Sequence, residues 1–213
     1  MPVVPRSFFS RPAETVAPEL LGCLLVRESA EGRRVLRITE VEAYAGPLDP
    51  ASHGFRGKTP RNAVMFGPPG HLYVYFTYGM HFCINFVCSP EGECSAVLIR
   101  AGEIVEGAEL ARAARPGSSD RDLARGPARL TKALELARED NGLDLCDGGP
   151  LTVMERASAD FAVVSGPRVG VSSAAEVPWR FWIEGDRTVS AYKAHKPRAR
   201  GSAATSPTSA TSS

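Results

Sequence analysis

The 213-residue sequence contains no long uncharged apolar run, so a membrane-spanning helix is not expected. Its opening, MPVVPRSFF, lacks the basic-then-apolar order of a secretory leader, and a cytosolic or nucleoid-associated location is expected. The five cysteines (Cys23, Cys83, Cys88, Cys94 and Cys146) form an odd set without a CxxC pair, a poor basis for a disulfide framework or a zinc ribbon. Reduced thiols, several of them buried, are expected instead. There is no GxxxxGK(S/T), no GxGxxG after a strand, no HExxH and no GxSxG, so nucleotide hydrolysis, hydride transfer and serine hydrolysis lack their signatures. The spacing His81-x-Cys83-x4-Cys88-x5-Cys94 resembles a metal motif, but strand alternation would put His81 and Cys83 on one face and Cys88 on the other. No structural metal is therefore expected.

Carboxylates are absent where other features concentrate. From Pro50 to Pro90 there is no Asp or Glu, while Arg56, Lys58, Arg61, three of the four histidines and eight of the sixteen aromatic residues fall there. A net charge of only +1 thus hides a basic, aromatic segment of the kind that meets nucleic acid. A second basic stretch, Arg112 to Arg138, has seven Lys or Arg against Asp120, Asp122 and Glu135. Taken alone it reads as a solvated helix face.

A content of 43% hydrophobic residues suffices for a core. Residues 13–30 read as an amphipathic helix running into a strand, and 33–44 (RRVLRITEVEAY) as a second strand with Leu36, Ile38, Glu40, Glu42 and Tyr44 on one face. A carboxylate on a mostly apolar face must be paired, stand at a strand end or line a cleft, because burying it alone would cost several kcal/mol. Residues 45–70 form a long Gly/Pro-rich loop, a length that is usually functional. Residues 71–77 and 81–88 read as a hairpin turning at Thr77-Tyr78-Gly79-Met80. Further strands are expected over 96–100 and in LTVME, PRVGVS, RFWIEG and TVSAY, with a helix over 128–140 ended by Asn141-Gly142. Without a βαβ rhythm or an internal repeat, the pattern predicts an α+β single domain. Its curved, mainly antiparallel sheet would be flanked by helices and carry a protruding β-hairpin. The domain is expected to occupy residues 1–195. Residues 196–213, ending in GSAATSPTSATSS, cannot bury enough surface to order themselves and are expected to form a disordered Ser/Thr-rich tail.

Glu42, Tyr44, His53, Tyr73, Tyr75 and Tyr78 each have an ordinary explanation as surface charge, core packing, loop histidine or turn residue. Together they supply what excision of a base from duplex DNA requires: a wedge for the vacated stack, flat rings for the extruded base and a group for the chemistry.

The stretches ITEVEAYAGPLDPASH, KTPRNAVMFGPPGHLYVYFTYGMHFCINFV, AVLIRA, ARGPARLTKAL and PRVGV resemble the alkyladenine (3-methyladenine) DNA glycosylase family of the vertebrate type, which many bacteria also have. The likeness runs from about Phe8 to Tyr192, in order and at consistent spacing, and outside the Ser/Thr-rich tail. It implies that Glu42 is the general base for the water attacking C1′, with Arg100 and the backbone carbonyl of Val169 as companion contacts. It further implies that Tyr44, His53 and Tyr75 wall the base pocket, that Asn85 disfavours the amino group of normal guanine, and that Tyr78 intercalates. Lys58 and Arg61 fall in the loop that approaches DNA, where phosphate contact is their natural role. The implied protein is a base-excision-repair enzyme of the bacterial cytosol, a cofactor-free monomer acting on double-stranded DNA. The rival reading is a non-enzymatic damage-binding module, which would need no poised carboxylate.

Overall fold

The computed structural model describes residues 1–77 and 80–194. Its strands are β1 (Leu24–Ser29), β2 (Gly32–Tyr44), β3 (Leu72–Thr77), β4 (His81–Val87), β5 (Ala96–Glu106), β6 (Leu151–Met154), β7 (Val163–Gly166) and β8 (Arg180–Ile183). They join one curled sheet in the order β3-β4-β5-β2-β1-β6, every neighbour antiparallel, with β8 on β2 and β7 on β8. Four helices, α1 (Arg6–Phe9), α2 (Ala13–Leu20), α3 (Ala108–Ala114) and α4 (Pro127–Ala133), flank the sheet among the described residues. The α+β class, the single domain and the curved antiparallel sheet match the sequence reading. No helix among the described residues is long and apolar enough to cross a membrane.

Strand β2 organises the molecule. One edge pairs with β5 along nearly its whole length; the other pairs with β1 up to Arg37 and with β8 from Glu40 to Glu42. At this change of partner the β2–β5 ladder slips twice: Ile38 faces Gly102, Glu40 faces Ala101 and Val41 faces Ile99, so Thr39 and Arg100 have no opposite number. Leu36 and Ile38 before the slip, and Val41 and Ala43 after it, all lie in the main hydrophobic core. The phase of the alternation has therefore changed across Thr39, as it must when one residue is inserted into a ladder of period two. Uninterrupted alternation would have put Leu36 and Ile38 on the same face as Glu40 and Glu42. The irregularity turns both carboxylates away from the core that the apolar residues fill.

That core receives α2 through Ala13, Val16, Ala17 and Leu20, all fully buried, and α4 through Leu130 and Ala133. The helix predicted over 128–140 stops early. Leu134 caps α4, and Glu135 takes a left-handed φ of 51°, an uncommon conformation for a side chain of this kind. Its carboxylate pairs with the buried Arg34 at 2.5 Å. Asn141 does not end the helix; its side-chain oxygen accepts the Val74 N–H of β3 at 2.9 Å. PRVGVS and TVSAY are not strands, because their polar groups serve the buried charges described below; the strand in that region is Val163–Gly166. Tyr78 and Gly79 at the hairpin turn, and the tail from residue 195, lie outside the described residues.

Candidate active site

Sheet register alone assembles most of the site. Tyr73 faces Asn85, Asn85 faces Leu98, Leu98 faces Glu42 and Glu42 faces Arg180, while Tyr75 faces Cys83 one step along. Directly opposite residues share a sheet face. The row opens into a cavity of about 440 Å³ lined by Tyr44, His53, Tyr73, Tyr75, Asn85 and Arg100, with Leu98, Cys83 and Val169 also in its wall. Its size is within the range, about 300–1,000 Å³, of small-molecule sites.

Glu42 lies behind this wall, fully buried. The Tyr44 hydroxyl donates to its Oε2 at 2.8 Å and the Val169 N–H donates to its Oε1 at 2.7 Å. The Arg100 guanidinium stands 3.3 Å from Oε1. The Val169 amide thus satisfies an acceptor that burial would otherwise strand. Burial, with the Glu42 charge beside it, drives the Tyr44 phenol well above its ordinary pKa, so it stays a donor.

Glu40, two residues earlier and equally buried, is the hub of a second cluster. It accepts from Arg100 Nε at 2.9 Å, Arg180 Nε at 2.7 Å, the Ser190 N–H at 2.7 Å and the Ser190 hydroxyl at 2.9 Å. Burial alone would raise its pKa, but the charges of Arg100 and Arg180 more than offset this and hold the carboxyl below its ordinary range. Two carboxylates and two guanidiniums thus neutralise one another in the interior. Arg100 remains charged despite its burial because Glu42 and Glu40 flank it.

The aromatic wall is preorganised. Tyr73 and Tyr75 stack at 5.8 Å between centroids with planes 27° apart, and the His53 ring meets Tyr75 edge-on at 4.6 Å. His53 Nδ1 lies 3.2 Å from the Tyr73 hydroxyl. The His53 residue is partly open to solvent, but its ring is packed against these tyrosines; that burial, with Arg61 nearby, pushes its pKa down, so the ring is neutral at neutral pH. Asn62 holds the loop in place by donating to the His53 and Gly57 carbonyls at 2.9 and 3.0 Å.

Behind Tyr44 lies a cluster the sequence reading did not single out. Arg168 and Asp49, both fully buried side chains, pair at 2.5 and 2.9 Å. The Arg168 guanidinium stacks 4.7 Å from the Tyr44 ring and 5.4 Å from that of Trp179. Tyr73, grouped with Tyr75 in the sequence, also lines the cavity. Both charges lie inside the quoted stretches, Arg168 in PRVGV and Asp49 in GPLDP, but the sequence marks neither as the other's partner.

At the rim, Lys58 reaches toward the Phe66 ring at 6.0 Å and Arg61 donates to the Phe76 carbonyl at 3.0 Å. Neither they nor Arg56 form an ion pair among the described residues. Leu48, Phe55, Phe76 and Met80 expose large apolar side chains in the same part of the sequence. The reading of Tyr78 as wedge falls on a residue outside those described. Among the described residues no group of three or more His, Cys, Asp or Glu could hold a metal ion.

Residues 7–187 match the family described as Methylpurine-DNA glycosylase. The chain is 59% identical over 200 residues to a protein of Streptomyces avermitilis whose name gives it, provisionally, as a 3-methyladenine DNA glycosylase, covering 92% of this chain and 94% of that one. Relatives with the same name in Burkholderia lata (53% over 191 residues, 88% and 91% covered) and Leifsonia xyli subsp. xyli (53% over 199 residues, 89% and 92% covered) are similar along the same span.

Proposed function

This chain belongs to the methylpurine-DNA glycosylase family, and from that membership and its buried carboxylate we propose that it hydrolyses the N-glycosidic bond of alkylated or deaminated purines flipped out of duplex DNA, with Glu42 activating the water. It is a DNA glycosylase, a hydrolase of N-glycosidic bonds. The single observation that carries the finer reading is a fully buried, ionisable side chain set among three donors at the back of an aromatic cavity.

In this reading the extruded purine stacks against Tyr44 on one side and Tyr75 with His53 on the other. Base–aromatic stacking contributes about 1–3 kcal/mol per base and tolerates different purines. Asn85, on the same wall, rejects the amino group of guanine. As the C1′–N9 bond breaks, its electron pair leaves with the base and positive charge develops on the sugar, where the Glu42 carboxylate stabilises it. Water oxygen bonds to C1′ and gives its proton to Glu42, leaving an abasic sugar and a free base. Arg100 gives its Nε to Glu40 and sets another guanidinium nitrogen 3.3 Å from Glu42, so one cation ties the two carboxylates together. A cationic lesion such as 3-methyladenine departs neutral without help; a neutral one such as hypoxanthine needs a proton. Lys58 and Arg61 hold phosphates, Tyr78 fills the gap in the stack, and the protein acts as a monomer in the bacterial cytosol.

The test is release of free base from duplexes carrying 3-methyladenine, 7-methylguanine, hypoxanthine or ethenoadenine. Wild type should release base from at least one, and Glu42→Gln from none at a comparable rate. Equal release by the two, or none by wild type on any lesion, would overturn the assignment.

A further inference from the structure

We propose that Arg168, locked to Asp49, is the positioning residue that keeps the two halves of the site, the Tyr44 wall and the Glu42 carboxylate, in register; the inference rests on the function proposed above. Arg168 is 1% exposed and is not among the residues lining the cavity, so it acts through others.

Its guanidinium reaches three parts of the chain. Two nitrogens fork onto the Asp49 carboxylate, which fixes the loop leading to His53: Asp49 also accepts the Ala45 N–H at 3.3 Å and the Ala51 N–H at 3.0 Å. Nη1 donates to the Ala43 carbonyl at 3.0 Å, the peptide between Glu42 and Tyr44 on β2. Nη2 donates to the Ala174 carbonyl at 3.4 Å, across the turn that follows Val169. The guanidinium carbon also lies 4.7 Å from the centre of the Tyr44 ring and 5.4 Å from that of Trp179, whose carbonyl accepts the Ala43 N–H at 2.8 Å. The residue after Arg168 is Val169, whose N–H holds Glu42.

One side chain therefore sets the pitch of the ring against which the base stacks and the position of the amide that aims the carboxylate. Wall and carboxylate are also tied directly, since the Tyr44 hydroxyl donates to Glu42. A rigid floor for simple packing would not need a charge here: two apolar side chains of similar volume commonly serve as well as a buried ion pair. What the pair adds is geometry. The guanidinium presents a planar fork that matches a carboxylate and a face that stacks, and lysine can supply only one of these contacts at a time. The Arg168 Nε has no hydrogen-bond partner, so the residue bears a desolvation cost in the same place.

The experiment compares wild type, Arg168→Lys, Tyr44→Phe and the double variant in single-turnover base release at saturating protein, with rates taken per folded molecule by circular dichroism. A displacement of reacting groups by about 1 Å costs on the order of 100-fold in rate, and a loss of about 30- to 100-fold is expected for Arg168→Lys. Affinity for undamaged duplex, set by the rim, should stay within about twofold. The decisive readout is coupling: Tyr44→Phe should cost much less in the Arg168→Lys background than in wild type, because the hydroxyl it removes is no longer aimed at Glu42. Independent contributions multiply to within about twofold, and multiplicative losses would overturn the proposal, as would an Arg168→Lys rate within that margin of wild type. Asp49→Asn must show the same coupling and serves where Arg168→Lys folds poorly. If wild type releases no base at all, the proposed function fails rather than this inference.

Discussion

The stretch from Arg112 to Arg138 carries more cations than the segment from Pro50 to Pro90, yet in the structure its charge is largely consumed internally. Arg112 pairs with Asp120 at 2.8 Å, Arg121 with Asp122 at 3.0 Å, Arg115 donates to the Asp122 and Leu123 carbonyls, and Arg125 to the Val189 carbonyl. A hydrogen bond from Ser119, then one from Arg121, hold Asp122 at a pKa of about 2. In the other segment there is no carboxylate to consume anything, and Arg56, Lys58 and Arg61 form no ion pair among the described residues, in a stretch where Phe55, Phe76 and Met80 expose large apolar side chains. How much charge a run of Lys and Arg leaves free for a partner depends on the carboxylates beside it, and not on the count of cations alone.

The largest effect, short of removing Glu42, should come from Tyr44→Ala, which deletes a stacking surface and one donor to the carboxylate together. Base release should fall by about 100-fold or more, the combined size of a lost stack and a misplaced base. Replacing Lys58 and Arg61 together by Ala should weaken duplex binding and reduce the slope of log affinity against log salt by about 2, with release at saturation unchanged. An unaltered slope would remove these two from the DNA face.

Acid stability separates floor from rim in another way. Because Glu40 is held below its ordinary pKa in the folded protein, it contributes stability fully above the unfolded value of about 4.3, and that contribution is lost as pH falls through the depressed folded value. Denaturant midpoints for wild type and Glu40→Gln should therefore differ most near neutrality and converge in acid; a gap independent of pH would contradict this. The smallest effect belongs to the internally paired stretch. Arg112→Ala and Arg121→Ala should leave duplex affinity within about twofold of wild type, as expected of exposed ion pairs, and a clear fall in the salt slope would place that stretch on the DNA.

Much of this was legible in the sequence because it rests on short-range pattern. The hairpin, the placing of Glu42 beside Tyr44, and that of Tyr73 beside Tyr75 follow from alternation alone. What could not be read depends on contacts between distant segments. The change of phase at Thr39 is a property of the β2–β5 ladder and leaves no mark in RITEVEAY. The helix over 128–140 ended early because Glu135 is drawn to Arg34, a hundred residues away in sequence. PRVGVS and TVSAY have the composition of strands, yet Arg168, Val169 and Ser190 are engaged with Asp49, Glu42 and Glu40, and buried charges outrank weak strand preference. Strand propensity measures fit to a pleated surface and gives way where a stronger demand exists.

The division of labour these contacts support is that Glu42 performs chemistry and does little of the binding. It is tested most directly by measuring, on one lesion-bearing duplex, both the affinity and the single-turnover base release of Glu42→Gln. The amide keeps the size of the carboxylate and one acceptor oxygen for the Val169 N–H, turns its NH2 toward the Tyr44 hydroxyl, which can accept, and removes the base. Affinity should remain within a fewfold of wild type and release should fall by about 100- to 10,000-fold, the usual contribution of a positioned general base. Release near the wild-type rate, or a loss of affinity that accounts for the whole loss of activity, would contradict it.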